Sequence, residues 1–174
     1  MFENCENLNN QAIELASQGE YEEAIACFKR AITMEKDNYL LWYNLGITYR
    51  DAGDLEDAAS ALQKSYLIKP EDESLLESLT TTYYAMENFP EAFRFAAEAL
   101  SINQDNYRVW NTLGVLYFNE SDFELASEAF EQAISLNPYY YDALYNLRDC
   151  YEELGNTTGA DECEKRMKEL PYHD

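Results

Sequence analysis

The side chains best suited to covalent or metal chemistry are four cysteines, Cys5, Cys27, Cys150 and Cys163, and one histidine, His173. No two cysteines form a Cys-x-x-Cys pair, and a zinc site needs closer spacing and more imidazole, so no metal is expected. Nucleophilic catalysis needs a base beside the nucleophile, and a single imidazole in the last two residues does not supply one. The six glycines are scattered, so no phosphate-cradling loop is present and no cofactor is expected. Carboxylates are abundant. Asp142, Asp149 and Glu153 share one helical face with Glu152 beside them, but the glycine-hinged loop of a calcium site is missing. Independent catalysis is not expected. The thiols read as reduced and packed, although a helical hairpin would bring Cys150 and Cys163 close enough for a stress-formed disulfide.

Charge narrows the partners. The 174 residues carry 34 Asp and Glu against 12 Lys and Arg, a formal net charge of −22. Phosphate-rich partners need a positive surface, so nucleic acid and anionic membranes are disfavoured. No stretch approaches the roughly 20 apolar residues of a membrane helix. The start, Met-Phe-Glu-Asn-Cys-Glu, lacks the basic and apolar regions of a secretory signal, so a cytoplasmic location is expected. Fifteen Tyr, eight Phe and two Trp argue against disorder, and two Val with seven Ile argue against an all-β fold.

The elements that position these residues repeat every 34 residues. Trp42 and Trp110 stand two periods apart, and Leu8, Leu76 and Leu144 share their grid. Tyr49, Tyr83, Tyr117 and Tyr151 recur at another position, as do Ala24, Ala58, Ala92, Ala126 and Ala160. Five units follow without insertion: 5–38, 39–72, 73–106, 107–140 and 141–174. Trp42, Leu45, Gly46 and Tyr49 mark one helical face, and Ala126, Phe130 and Ala133 a second. Gly19, Gly53 and Gly155 fit helix C-termini, where positive φ is needed. Asp54, Asn88, Asp122 and Asn156 are placed to cap the next helix, with Glu22, Glu23, Glu56, Asp57 and Glu124 in its first turn. Pro70 and Pro138 stop the second helix. The tryptophans are expected in the core, so that Trp110→Ala destabilises more than Leu8→Ala.

This pattern resembles the tetratricopeptide repeat family. Trp110-x-x-Leu113-Gly114-x-x-Tyr117, followed by Ala126, Phe130, Ala133 and Pro138, matches its signature position for position. The departures fall mainly in the terminal units: Gln11, Ala12 and Lys36 in the first; Arg148, Gly159 and Glu164 in the last. Terminal repeats have one face in water and lose apolar residues. The third unit has Glu87 and Gln104 where Gly and Pro are usual, and Pro90 in a tolerated first-turn position. The resemblance implies a single all-α domain over 1–174, a right-handed α-solenoid (superhelix) of five helix–turn–helix units whose first helices line a concave groove.

By that resemblance, the fifth, sixth, ninth and twelfth residues of each unit look into the groove. The sixth positions are Asn10, Asn44, Ser78, Thr112 and Asn146, short side chains that donate and accept. They are similar to the asparagine ladder with which O-linked N-acetylglucosamine transferase holds an extended peptide by its backbone. Beside them lie Tyr43, Tyr84, Asn111, Phe118 and Tyr145, with Ile13, Ile47 and Val115. Aromatic residues at this density anchor apolar side chains of a partner. The resemblance thus implies a non-catalytic interaction adaptor or scaffold that takes an extended peptide, basic or apolar in character.

The family's clamp for acidic heat-shock chaperone tails is not expected. It needs Lys and Asn where this chain has Asn9 and Ile13, or Tyr43 and Ile47, and two basic residues where it has Ser74 and Ser78, or Arg108 and Thr112, so that only an isolated Asn44 and Arg108 match, and the net charge of −22 would repel an acidic tail. Two alternatives stay open. One is a self-associating subunit, joined through its ends or through the Tyr139-Tyr140-Tyr141 run if two of those rings are exposed. The other is a small acidic chaperone resembling those of type III secretion, although these have fewer repeats and an extra N-terminal segment.

Overall fold

A glycine-like turn recurs at the fifteenth residue of every repeat, and it sets the helix boundaries. In the computed structural model, which describes residues 4–170, Gly19, Gly53 and Gly155 adopt φ of 80°, 90° and 70°. Glu87 and Ser121 occupy the same place at 57° and 62°, although neither is glycine. The residue after each donates its N–H to the carbonyl five residues back, at 2.8–3.0 Å, closing the first helix in all five repeats.

The helices are α1 (Cys5–Ser17), α2 (Tyr21–Met34), α3 (Tyr39–Ala52), α4 (Leu55–Ile68), α5 (Glu73–Ala85), α6 (Phe89–Ile102), α7 (Tyr107–Asn119), α8 (Phe123–Leu136), α9 (Tyr141–Glu153) and α10 (Thr157–Glu169). Among the described residues there is no strand. Each odd-numbered helix opens on the first residue of a repeat. Its N-terminus is capped by the residue just before the repeat: Asn4, Asn38, Asp72 and Asn106 accept from free helix amides. Tyr140 stands at the same point before α9 and makes no side-chain cap bond. Of the caps expected on second helices, Asp122 and Asn156 accept from Leu125 and Gly159, whereas Asp54 accepts nothing from its helix.

The chain divides into two compact units, Met1–Asn88 and Phe89–Asp174, with the boundary inside the third repeat. In the first unit α1 to α5 pack in chain order; in the second α6 to α10 do the same. Each has its own core. Leu8, Phe28, Ala31, Leu41, Leu45 and Ala58 pack together in the first, and Ala126, Phe130, Leu144, Leu147, Cys150 and Cys163 in the second. Two glycines let paired helices approach closely. A Cβ on Gly46 would lie 2.6 Å from Leu62 Cγ, and one on Gly114 2.5 Å from Phe130 Cε1.

Both tryptophans differ from expectation. They are half-buried, whereas Leu8 is only 2% exposed, because each indole reaches back to the turn that precedes it. Trp42 Nε1 donates to the Lys36 carbonyl at 2.8 Å, and Trp110 Nε1 to the Gln104 carbonyl at 2.7 Å. Those are the two turns without proline. Where Pro70 or Pro138 presets the turn, the residue in the tryptophan's place is a buried leucine, Leu76 or Leu144.

Candidate functional site

Backbone placement puts the fifth residue of one first helix beside the sixth residue of the next. In the first unit Asn44 Nδ2 donates to Asn9 Oδ1 at 3.2 Å, and the hydroxyls of Tyr43 and Ser78 meet at 3.4 Å. In the second unit Asn146 Nδ2 donates to Asn111 Oδ1 at 3.0 Å. Each bond spans 35 residues rather than one 34-residue period, since neighbouring first helices are offset by one residue. The sixth-position side chains are therefore not a row of independent groups. Thr112 turns its hydroxyl back to the Arg108 carbonyl at 3.0 Å, and Asn10 is exposed.

Each asparagine pair is half-buried and keeps part of its bonding capacity. The Asn9 and Asn111 side-chain amides only accept, through Oδ1, and the Asn44 and Asn146 amides only donate, through Nδ2. What is left over at each pair is an N–H donor on one residue and a C=O acceptor on the other. That combination is the complement of a peptide unit.

The apolar candidates divide by exposure. Val115 and Phe118 pack against the second unit's core, with Phe118 edge-on to Phe123 at 5.1 Å. Tyr43, Ile47 and Tyr84 are half-buried, and Ile13 is exposed. Tyr145 is 43% exposed and stands in a stack absent from the sequence reading. The Tyr141 ring lies 6.4 Å from it at an interplanar angle of 28°, and the Arg148 guanidinium lies 4.2 Å from its centroid. Positions i, i+4 and i+7 on α9 were the available signal. Of the tyrosine run, Tyr140 packs edge-on to Tyr107 at 4.9 Å, while Tyr139 and Tyr141 are 70% and 51% exposed.

The charged and thiol groups are quiet. Arg148 donates to Asp149 at 2.5–2.9 Å, a bond that, together with the Tyr145 hydroxyl, holds its proton more firmly than usual. Asp142 and Glu153 are exposed, and among the described residues no group of His, Cys, Asp and Glu is placed to hold a metal ion. His173 lies outside the described residues. All four cysteines are free. Cys150 Sγ donates to the Phe123 carbonyl at 2.9 Å, and burial pushes its thiol up to about 11, away from reactive thiolate. Burial likewise raises Cys163. Tyr151 donates to Glu131 at 2.6 Å, and burial followed by that bond raises its hydroxyl above the usual range.

Among the described residues, ten helices packed in consecutive pairs, with polar residues aligned on the first helix of each pair, define a helical repeat protein of the interaction-scaffold class. The chain belongs to the tetratricopeptide repeat family, whose models match residues 9–73, 74–105 and 107–140. No curated protein matches the sequence significantly. Among solved structures, a double mutant of MamA from RS-1 superposes with a TM-score of 0.89 at 19% identity, covering 98% of this chain and 96% of that one. PilF of Pseudomonas aeruginosa gives 0.86 at 14% identity, covering 98% and 78%. YrrB, described as a repeat protein of this family with an unusual peptide-binding site, gives 0.76 at 22% identity, covering 93% and 84%. At these identities the likeness is one of fold. Among the described residues no helix is long and apolar enough to cross a membrane.

Proposed function

We propose that the protein is a non-catalytic adaptor that binds an extended segment of a partner along the exposed face of its first helices. The observation that carries this reading is the asparagine pair found in both compact units, Asn9 with Asn44 and Asn111 with Asn146. Each pair offers one donor and one acceptor to a main chain lying across it. Two such bonds give modest, sequence-tolerant affinity, about 0.5–1.5 kcal/mol net each. Tyr43, Ile47 and Tyr84 in the first unit, and Tyr145 in the second, supply apolar contact beside the amides, with Thr112 as a further polar group; Ser78, expected on this line, is 6% exposed and meets the Tyr43 hydroxyl from behind it. Val115 and Phe118 support that face from the core side. That YrrB, of similar fold, is described as having a peptide-binding site supports a peptide as the class of ligand.

The test is a quantitative pull-down from a lysate of the source cell with wild type and Tyr43→Ala/Asn44→Ala/Asn146→Ala, both checked for helicity. The expected result is a protein captured by wild type and lost from the variant. An identical captured set overturns the proposal.

A further inference from the structure

We propose that the cleft between α7 and α8 takes a lysine or arginine side chain of a partner protein, seated on the Trp110 indole with its charge toward Glu128. This is a second contact surface beyond the amide pairs, and it does not depend on them. Two clefts that stand two repeats apart, one in each compact unit, carry the comparison. The first, about 200 Å³, is walled by Trp42, Leu45, Tyr49 and Ala61. The second, about 450 Å³, has Trp110, Leu113, Tyr117 and Ala129 at the positions 68 residues on. These walls match, and the charged positions beside them do not.

In the first cleft the protein covers both rings with its own cations. Lys64 Nζ lies 5.3 Å from the Trp42 ring centroid, and Lys29 Nζ 5.5 Å from that of Tyr49. Their counterparts at the second cleft are Gln132 and Ala97, which carry no charge. Among the described residues no cation lies over Trp110 or Tyr117. The position of Ala97 elsewhere serves the tyrosine of the next repeat: Gln63 bonds Tyr83, and Glu131 bonds Tyr151. Alanine cannot do this for Tyr117. Tyr49 is accordingly buried at 8% exposure, whereas Tyr117 is half-buried although Phe93 packs 5.2 Å from its ring.

The acidic groups change in the complementary sense. Asp57, which lines the first cleft with Lys29, gives way to Leu125, and Ser60 gives way to Glu128. Leu125 is 40% exposed and offers an apolar wall to the methylenes of a long basic side chain. Glu128 is exposed and makes no hydrogen bond or ion pair with the described residues. Aromatic faces attract ammonium and guanidinium groups, tryptophan most strongly, and a carboxylate on the same wall adds to that attraction. An apolar side chain would leave Glu128 unmatched, and an acidic one would be repelled by it and by the net charge of −22. The first unit thus shows which chemistry fills this cleft, and the second unit does not supply it.

The experiment uses the full chain with Trp42→Phe, which leaves Trp110 as the single tryptophan, and follows its emission. The probes are short peptides alternating Lys and Ala, against counterparts with Gln or Glu in place of Lys. The Lys peptide shifts the emission saturably, and the other two do not. Gln132→Lys, at an exposed position, fills the ring in cis and weakens the Lys peptide about 2- to 30-fold, the range of a cation–π contact from exposed to desolvated. Glu128→Gln weakens it in the same direction, whereas Leu67→Lys, the same added charge on α4, changes it less. Fluorescence anisotropy with a labelled Lys peptide and wild-type Trp42 should rank these variants in the same order. An equal response to the Gln peptide overturns the inference, as does Gln132→Lys behaving like Leu67→Lys in both measurements. Asn111→Ala/Asn146→Ala should leave the emission shift in place; its loss there, with Gln132→Lys unaffected, gives the peptide to the amide pairs and also overturns the inference.

Discussion

Replacing Glu87 and Ser121 by glycine should stabilise the protein. Both residues hold left-handed backbone, φ 57° and 62°, at the position where the other three repeats have glycine. For an L-residue that conformation costs about 1–2 kcal/mol, because Cβ crowds the following carbonyl. Glycine removes the crowding but loses about 0.5–1 kcal/mol through its greater freedom in the unfolded chain. The net gain is about 0.5–1 kcal/mol per site. Both side chains are exposed and make no hydrogen bond or ion pair that glycine would forfeit. At this chain length the double variant should melt roughly 2–8 °C higher by circular dichroism. Gly53→Ser, the reverse change in the second repeat, should lower the transition by a comparable amount. A lower or unchanged transition in the double variant, with Gly53→Ser tolerated, would refute the claim that this position is set by left-handed geometry.

Other perturbations follow from single contacts. Gly114→Ala gains about 1 kcal/mol of helix propensity but drives a methyl against the buried Phe130 ring, an overpacking cost of about 1–3 kcal/mol, so urea melting should show a net loss. Lys36→Pro should stabilise by about 0.4–1 kcal/mol, since Glu35 at φ −133° and ψ 78° nearly matches Lys69 at −140° and 86° before Pro70, and the Lys36 N–H is unbonded; it should also rescue Trp42→Phe, which loses the indole bond to that turn. A loss of stability in Lys36→Pro would contradict this account of the turn. Stability should fall as pH rises from 9 to 11. The buried Cys150 keeps its proton until about 11, while the unfolded thiol releases it near 9, so over that window the folded state binds more protons. Cys150→Ala should shrink the drop, with Tyr151 supplying the remainder; a pH dependence unchanged by that substitution would argue against Cys150 as a source. Added salt should raise the melting temperature by screening the repulsion of net charge −22, and a fall would show that local ion pairs dominate instead.

The repeat, its boundaries and its helix pairing were legible because period and hydrophobic pattern act locally. Three features were not. Left-handed backbone at Glu87 and Ser121 is imposed by the repeat around them, and neither residue type announces it. The offset that joins Asn9 to Asn44 and Asn111 to Asn146 arises from the packing of neighbouring first helices, so a strict 34-residue grid aligns sixth positions with each other instead. Caps on first helices sit on the residue just before the repeat, away from the glycine turns that drew attention to the second helices. Trp42 and Trp110 were legible as marks of the period but not as ties to a turn, because their bond partners are backbone carbonyls.

The central claim, that a partner lies on the first helices, is tested most directly by site-specific photo-cross-linking. A benzophenone side chain placed at Ile47 or Tyr145 should capture the partner, and the same group at Leu67, exposed on a second helix, should not. Capture from Leu67 with none from Ile47 and Tyr145 would contradict the account and move the function to the opposite face of the helix pairs.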